Sequence, residues 1–380
     1  MAEPNWKNRT LFHGDNLKFL RAMNSESVDL IATDPPFNKN RDFHATPDSL
    51  AKGAKFQDRW SWEKDVHEEW VDEIKDDHPR LMEAIESARY AHSDGMGAYM
   101  CFMAVRLLAM RRVLKPTGSI YLHCDPTASH YLKAVMDAVF GWKNFQNEIV
   151  WKRYAPHSLA GNSLDTICDV LLFYTKSSKS VWNGVYGELT KDETKRRFPY
   201  IEEKTGRRYQ HIALEQSSNK SSAKETRIIQ GKEIKGTIGW RWTQETFDAR
   251  LKENSRLIHW TRAGRPRYKK YADEYAGVPV GNLWCDVEYL SSGNKERTGY
   301  PTQKPLALYE RIIKASSSSN SGGGGRYGIR PVRWMRYDLR CGGTPESTMG
   351  RHRHLGEGSR SRSESPQEGS GPVRRRDLHR

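Results

Sequence analysis

The chain has 380 residues, enough for two or three domains, of which 36% are hydrophobic and 29% charged, with a net charge of +15. The modest apolar share leaves some segments without a packed core, and no apolar run reaches the roughly 18 residues that would span a bilayer. Five scattered cysteines without a CxxC pair, and an N-terminal MAEPNWKNRT without a signal-peptide core, argue against a disulfide or zinc framework and for a reduced, cytoplasmic protein. Between Arg326 and Arg380 there are 13 arginines, no lysine and 6 acids, so this segment holds +7 and the rest of the chain +8; a polyanionic partner is inferred from the +8 alone.

In chain order, Arg9–His13 is a short apolar strand, Gly14-Asp15 a turn, and Asn16 is placed to cap a helix running through Met23. The run Val28–Thr33 is apolar without alternation, which suits a strand covered on both faces. Residues 44–92 are polar and read as an inserted lobe. Tyr99, Phe102, Met103, Leu107, Met110 and Leu114 have helical spacing, stopped by Lys115-Pro116-Thr117-Gly118. A strand at Ser119–His123, a helix at Thr127–Phe140 ended by Gly141, and strands at Glu148–Trp151 and Val170–Tyr174 follow. Alternating strands and helices with short links predict a doubly wound α/β sheet with helices on both faces. Residues 177–255 are charged and short of apolar clusters. They suit either a solvated excursion or a DNA-facing region. Core-like sequence resumes at Gly239–Trp242 and Leu257–Trp260 and leads to a helix at Leu306–Ala315.

The stretch Thr33-Asp34-Pro35-Pro36-Phe37-Asn38 closes the second strand. In open α/β sheets ligands bind beyond the carboxyl ends of the strands, where Asp34 stands. Two prolines fix φ and have no N–H, so their carbonyls are free to accept. A carboxylate and a neighbouring carbonyl can grip both hydrogens of an exocyclic amine while a ring stacks on the flat molecule bearing it. Gripping those hydrogens localises the nitrogen lone pair, which is otherwise delocalised into the base and a poor nucleophile. The base must leave the duplex first, which calls for an aromatic platform. A simple strand-terminating turn accounts for the same four residues equally well.

Gly14-Asp15-Asn16, Asp34-Pro35-Pro36-Phe37-Asn38, Leu122–Lys133 (LHCDPTASHYLK) and Tyr300-Pro301-Thr302-Gln303-Lys304-Pro305 together resemble the amino-methylating DNA methyltransferases in their β-type motif order, over roughly residues 9–316. The resemblance implies S-adenosylmethionine as cofactor, a Rossmann-like sheet, double-stranded DNA as partner, and transfer to an exocyclic base nitrogen. Asp in the first position of the tetrapeptide looks like the adenine-N6 branch. The implied roles place the base amine on Asp34 and Pro35, with Pro36 in the same corner, and base stacking on Phe37. They place the cofactor on Asp15, Asn16, Thr302, Gln303, Lys304 and Pro305. They make 1–176 the catalytic domain, 177–255 the target-recognition region and 256–316 the return to the catalytic domain. Asn38, Lys152, Arg153, Arg196, Arg197, Arg207 and Arg208 are candidate DNA contacts; the basic ones are also ordinary surface charges. The tryptophans suit core positions. The pair His352 and His354 has no further ligands at metal spacing, so no metal site is expected. A homodimer and a restriction-endonuclease partner stay open.

The family's glycine-bearing DPF loop, expected after the TQKP helix, has no counterpart in the run from Ser316. Reading the codons from Tyr327 onward one nucleotide later forces Gly from Trp334-Met335 and Trp from Met349-Gly350, and permits a string containing DPFAG. The expectation is that about the last 55 to 60 residues, within 317–380, are an out-of-frame tail without packed structure. The sheet would then be incomplete at its C-terminal end, with central strands unpaired and cofactor binding weakened. Sequencing the gene across codons 316–330 tests this; an intact frame with no recoverable motif refutes it. The alternatives are a catalytically dead DNA-binding remnant, cytosine-N4 or RNA methylation by the same amine-gripping chemistry, or a non-enzymatic interaction module.

Overall fold

The structure is a computed structural model and describes residues 5–6, 10, 12, 14–154, 164–216, 220–222, 224–291 and 293–317, with the backbone of 334–338. The expected strand at Arg9–His13 lies outside the described residues except for Thr10 and Phe12, and so does the expected tail apart from Ser317 and 334–338. Cys341, His352 and His354 also lie outside them.

Helix α1 (Asn16–Ala22) is capped by Asp15, whose carboxylate accepts the Leu17 N–H at 3.0 Å. The cap expected at Asn16 is thus one residue earlier, because Asp15 holds the extended backbone a cap needs while Asn16 is already helical and buried. Strand β1 (Val28–Asp34) follows, buried everywhere but at Asp29. A hairpin of β2 (Arg41–His44) and β3 (Lys55–Asp58) leads to α2 (Trp62–Asp65), α3 (Glu68–Asp77) and α4 (Pro79–Ala91). Helix α5 (Asp94–Val113) starts five residues before the spacing predicts, at a Ser93 cap that accepts the Met96 N–H. Its first turn holds Gly95 and Gly97 on either side of Met96, and glycine has no side chain for a periodicity argument to find. Strand β4 (Leu114–Cys124) takes in the expected turn at Lys115–Gly118, where its register on β1 shifts. A bulge absorbs Pro116, which cannot donate to a regular ladder. Helix α6 (Pro126–Phe140) ends at Gly141 with φ +87°, and β5 (Phe145–Lys152) and β6 (Cys168–Thr175) complete this half.

The second half contains β7 (Tyr186–Gly187), α7 (Lys191–Arg197), β8 (Tyr200–Ile201), β9 (Arg208–Ala213), β10 (Thr226–Ile229), β11 (Lys232–Lys235) and α8 (Gln244–Glu253). Then come β12 (Ile258–Trp260), β13 (Pro266–Tyr271), β14 (Val278–Pro279), β15 (Leu283–Trp284), α9 (Leu306–Ser316) and β16 (Trp334–Asp338).

The main sheet runs β15-β5-β6-β4-β1-β16. β1 is parallel to β4 and β16, whereas β6 is antiparallel to β4 and β5. Helices cover both faces, as predicted. Ile120 and Leu122 pack with α1, α3, α4, α5 and α6, while Tyr121, Leu30 and Ala32 pack with Leu308, Tyr309 and Ile312 of α9. Each such buried aliphatic side chain contributes about 1.5–3 kcal/mol of transfer free energy.

Three expectations are corrected. Trp70, Ile74, Leu81, Met82, Ile85 and Ala88, expected in an inserted lobe, belong to the largest hydrophobic cluster. α3 and α4 each turn one apolar stripe toward α5, so a polar overall composition hid a buried face. Next, β12 and β13 join β8 and β9 in a separate four-stranded sheet over Leu214, Trp240, Phe247 and Ile258. The chain therefore returns to the main sheet at Leu283, not at 256. Finally, β1 has no open edge, because Leu30–Asp34 pair in register with 334–338.

Candidate active site

The strand β1 ends at Asp34, and the backbone there cannot continue as ladder through Pro35 and Pro36. What shapes the corner afterwards is Asp58, at the end of β3. Its carboxylate accepts the N–H groups of Phe37, Asn38 and Lys39 at 3.3, 2.7 and 2.9 Å. Asn38 and Asn40 take positive φ, 58° and 55°, which Asn tolerates better than most residues. Burial pushes the Asp58 carboxyl above its usual range, although the three backbone donors and the Trp60 indole oppose the shift. The fully buried Tyr99 of α5 donates to the Pro36 carbonyl at 2.6 Å. Burial drives the Tyr99 phenol well above its usual pKa, so it stays a donor. Among the described residues no hydrogen bond reaches the Pro35 carbonyl, which leaves it free to accept, as the chemistry of the corner requires.

Asp34, 8% exposed, meets the Lys304 ammonium, whose Nζ lies 2.9 Å from both carboxylate oxygens. The same Nζ donates to the Thr302 carbonyl at 3.1 Å and sits 4.9 Å from the Phe37 ring centroid. Thr302 has φ +60°, an uncommon conformation for a β-branched residue and a mark of local strain. Behind Asp34, His123 of β4 stands between two carboxylates. Its Nδ1 is 3.8 Å from Asp34 and its Nε2 is 3.0 Å from Asp169 of β6. The His123 ring also lies 5.4 Å from Phe37 and 5.7 Å from Trp151. Burial would raise the Asp169 carboxyl, but the His123 hydrogen bond and the charges of His123, Arg153 and Lys304 outweigh it and hold it below the usual range. A cavity of about 260 Å³ lies beside this group, lined by Pro35, Pro36, Phe37, Asp58, Trp151, Arg153, Asp169, Tyr289, Thr302, Gln303 and Lys304 among others, with Asp34 and His123 behind its lining.

The structure thus brings Asp34, Pro35, Pro36 and Phe37 together with Thr302, Gln303 and Lys304, across 270 residues of sequence in the case of the Lys304–Asp34 pair. Pro305 caps α9 immediately beyond. Gln303 is engaged within its own loop: its Oε1 accepts from Thr298 N–H and hydroxyl at 2.7 and 2.8 Å, and its Nε2 donates to the Glu296 carbonyl. Asp15 and Asn16 stand apart from the cavity lining, gathered by Arg106 of α5. The guanidinium donates to Asp15 at 2.9 Å and Asn16 Oδ1 at 3.0 Å, and is 3% exposed.

Of the candidate DNA contacts, Arg153 lies over the cavity with its Nε 3.1 Å from Asp169. Asn38 is in the Asp58 turn, its amide 3.7 Å from the Met96 sulfur. Arg207 is bound by Asp273 and Glu274 and stacks on Tyr271. Arg208 donates to the Phe198 carbonyl, and Arg197 sits over Tyr275. Arg196 is exposed on α7 and Lys152 half-buried at the end of β5. Asp58, Tyr99, Arg106, His123 and Asp169 were not singled out by sequence. For His123 a signal existed in the Leu122-His123-Cys124-Asp125-Pro126 string; for Asp169 the signal is an acid opening an otherwise apolar strand.

Comparison with known proteins adds an independent line. The type II methyltransferase M.EcaI of Enterobacter cloacae is 26% identical over 239 residues, 61% of this chain and 51% of that protein. The StyLTI Mod subunit of a type III restriction-modification enzyme from Salmonella typhimurium is 26% identical over 332 residues, 83% of this chain and 47% of that protein. The chain therefore spans about half the length of these curated relatives. Among solved structures, the DNA modification methylase TTHA0409 of Thermus thermophilus, so described in its structure report as a presumed activity, aligns over 79% of this chain and 72% of its own at 13% identity and a TM-score of 0.29. The cytosine-N4-specific PvuII DNA methyltransferase aligns over 47% and 52% at 16% identity and a TM-score of 0.27. A family model described as DNA methylase, of the N6/N4 methyltransferases, matches residues 28–322. That match runs from the first residue of β1 past the helix that follows Lys304, and the chain belongs to this DNA methylase family.

Proposed function

We propose that the protein is a site-specific DNA methyltransferase acting on the N6 nitrogen of adenine. The observation that carries this is the corner at the end of β1: the buried Asp34 carboxylate, held on Lys304, beside a cavity lined by Lys304, by Pro35 with its carbonyl unengaged, and by Phe37. Asp34 and Pro35 take one amine hydrogen each, and Phe37 supports the extruded base by stacking, an interaction worth about 1–3 kcal/mol. Tyr99 holds the Pro36 carbonyl away, so that the neighbouring Pro35 carbonyl is the one on offer.

The methyl donor in this proposal is S-adenosylmethionine. The residues at the Gly14-Asp15-Asn16 turn fit a nucleoside: the Asn16 amide nitrogen is buried with no hydrogen-bond partner among the described residues, beside the half-exposed Asp15 carboxylate. Asp15 and Asn16 would hold its polar groups, and Thr302 would border its other end. When bound, this group supplies an electrophilic methyl. Arg106 fixes Asp15 and Asn16 in place, and the Gln303 clamp fixes the loop that presents Thr302. DNA is the proposed substrate and a restriction endonuclease the proposed partner, in line with the Mod-subunit relatives.

The test is transfer of labelled methyl from S-adenosylmethionine into DNA, followed by hydrolysis and separation of the modified bases. Label in N6-methyladenine is expected. Asp34→Ala is expected to abolish transfer, a loss of at least 100-fold, while DNA retention in a gel shift is unchanged. Label in N4-methylcytosine would overturn the adenine assignment. DNA binding with no label from either protein would identify a catalytically dead remnant.

A further inference from the structure

The resemblance puts Lys304 with the cofactor; its contacts put it with the base. An ammonium has three N–H donors. Here all three are matched by acceptors, the two Asp34 oxygens and the Thr302 carbonyl. Its charge also lies over the Phe37 ring, 4.9 Å from the centroid, and the side chain is buried. A base amine gripped by Asp34 and stacked on Phe37 needs that same carboxylate and that same ring face. The two occupants exclude each other.

A displaced ammonium needs another buried acceptor, since an unpaired buried charge is costly. One is in place. Asp169 Oδ1 is buried and has no hydrogen-bond partner among the described residues, although Arg153 Nε lies 3.1 Å from it. Asp169 and Lys304 line the same cavity. His123 takes the other oxygen of Asp169, and Oδ1, paired with Arg153 by charge but without a hydrogen bond, keeps lone-pair capacity for an ammonium.

We propose that Lys304 is an internal stand-in for the substrate's amino group, resting on Asp34 when the base site is empty and moving to Asp169 when an adenine enters. The inference rests on the amine-gripping reading of Asp34. It makes Lys304 a positioning residue that competes with the substrate amine for Asp34: an amine able to replace its hydrogen bonds displaces it, and a base without amino hydrogens leaves it in place.

The experiment uses the full chain and two fluorescent single-stranded oligonucleotides, oligodeoxyadenylate and the same oligomer bearing N6,N6-dimethyladenine, titrated by anisotropy at one salt concentration. The quantity read is the ratio of the two affinities, which cancels the phosphate contribution of a lysine charge. Lys304→Met should raise the preference for adenine at least fivefold over the unmodified chain, since the competitor for Asp34 is gone. Asp169→Asn should lower it at least fivefold, since the displaced ammonium loses its acceptor. An unchanged or lower ratio in Lys304→Met, with the unmodified chain still preferring adenine, overturns the role of Lys304 and leaves the amine grip standing. No preference in either the unmodified chain or Lys304→Met overturns the amine grip itself. If Lys304→Met does not fold, the Asp169→Asn ratio decides: a fall supports the proposal and no change refutes it.

Discussion

Asp58 bends the chain after Pro36 more than the prolines do. The prolines stop the ladder, but three consecutive N–H groups then turn onto one carboxylate. Burial raises that carboxyl's pKa, so placing a charge there costs stability that its donors only partly offset. Asp58→Ala leaves those donors unmatched, and an unsatisfied buried donor costs about 1–3 kcal/mol. A loss of about 2 kcal/mol is expected, read as a lower urea midpoint at unchanged slope, together with weaker adenine binding because Phe37 loses its support. A midpoint equal to that of the unmodified chain would show that the turn holds itself. At this scale the sequence was most informative about Asp34, Pro35 and Phe37, whose chemistry is local to four residues. It did not single out Asp58, Tyr99, His123 or Asp169 for the site, because their roles depend on contacts between elements far apart in the chain. The placement of Lys304 against Asp34, 270 residues apart, was equally out of reach of spacing arguments.

Among the elements, β1, β4, β5 and β6 of the main sheet were legible because each contains an apolar run. The small sheet was not, because β8, β9, β12 and β13 are short and lie in a charged stretch of sequence. Its interior is held by polar contacts as well as rings. Glu202 accepts from Lys269 at 2.7 Å, Tyr271 at 2.9 Å and Thr205 at 2.7 Å. Burial would raise its carboxyl, but these bonds, Lys269 first, outweigh it and hold the pKa at about 2. A carboxyl held below its ordinary value stabilises the fold fully above pH ~4.5 and loses that contribution as pH falls toward 2. The unmodified chain should therefore lose more thermal stability between pH 5 and pH 3 than Glu202→Gln. Parallel melting curves over that interval would remove Glu202 from the account. The edge of β1 shows the converse of these silent strands. A sequence read as unstructured tail supplies five residues of backbone that pair in parallel register with Leu30–Asp34. Backbone pairing is indifferent to side chains in a way that periodicity is not.

In the whole molecule, helices pack on both faces of a mixed sheet, and the segment that follows β1 meets residues of β3, β5, β6 and the Lys304 loop around one cavity. The return of the chain at β15 carries the Lys304 loop back over that cavity after the small sheet has been built. The positive charge outside the last 55 residues suits the proposed DNA substrate, although Arg153 and Arg207 pair theirs with acids of the chain itself. The central claim is that the Asp34 corner grips an adenine amine. A crystal structure of the protein with a duplex bearing one unpaired adenine tests it most directly, whether or not methyl transfer follows. The predicted result is an extruded adenine with its N6 within about 3.2 Å, an ordinary hydrogen-bond distance, of both the Asp34 carboxylate and the Pro35 carbonyl, its ring on Phe37. An adenine seated elsewhere, with Lys304 still on Asp34, would contradict it.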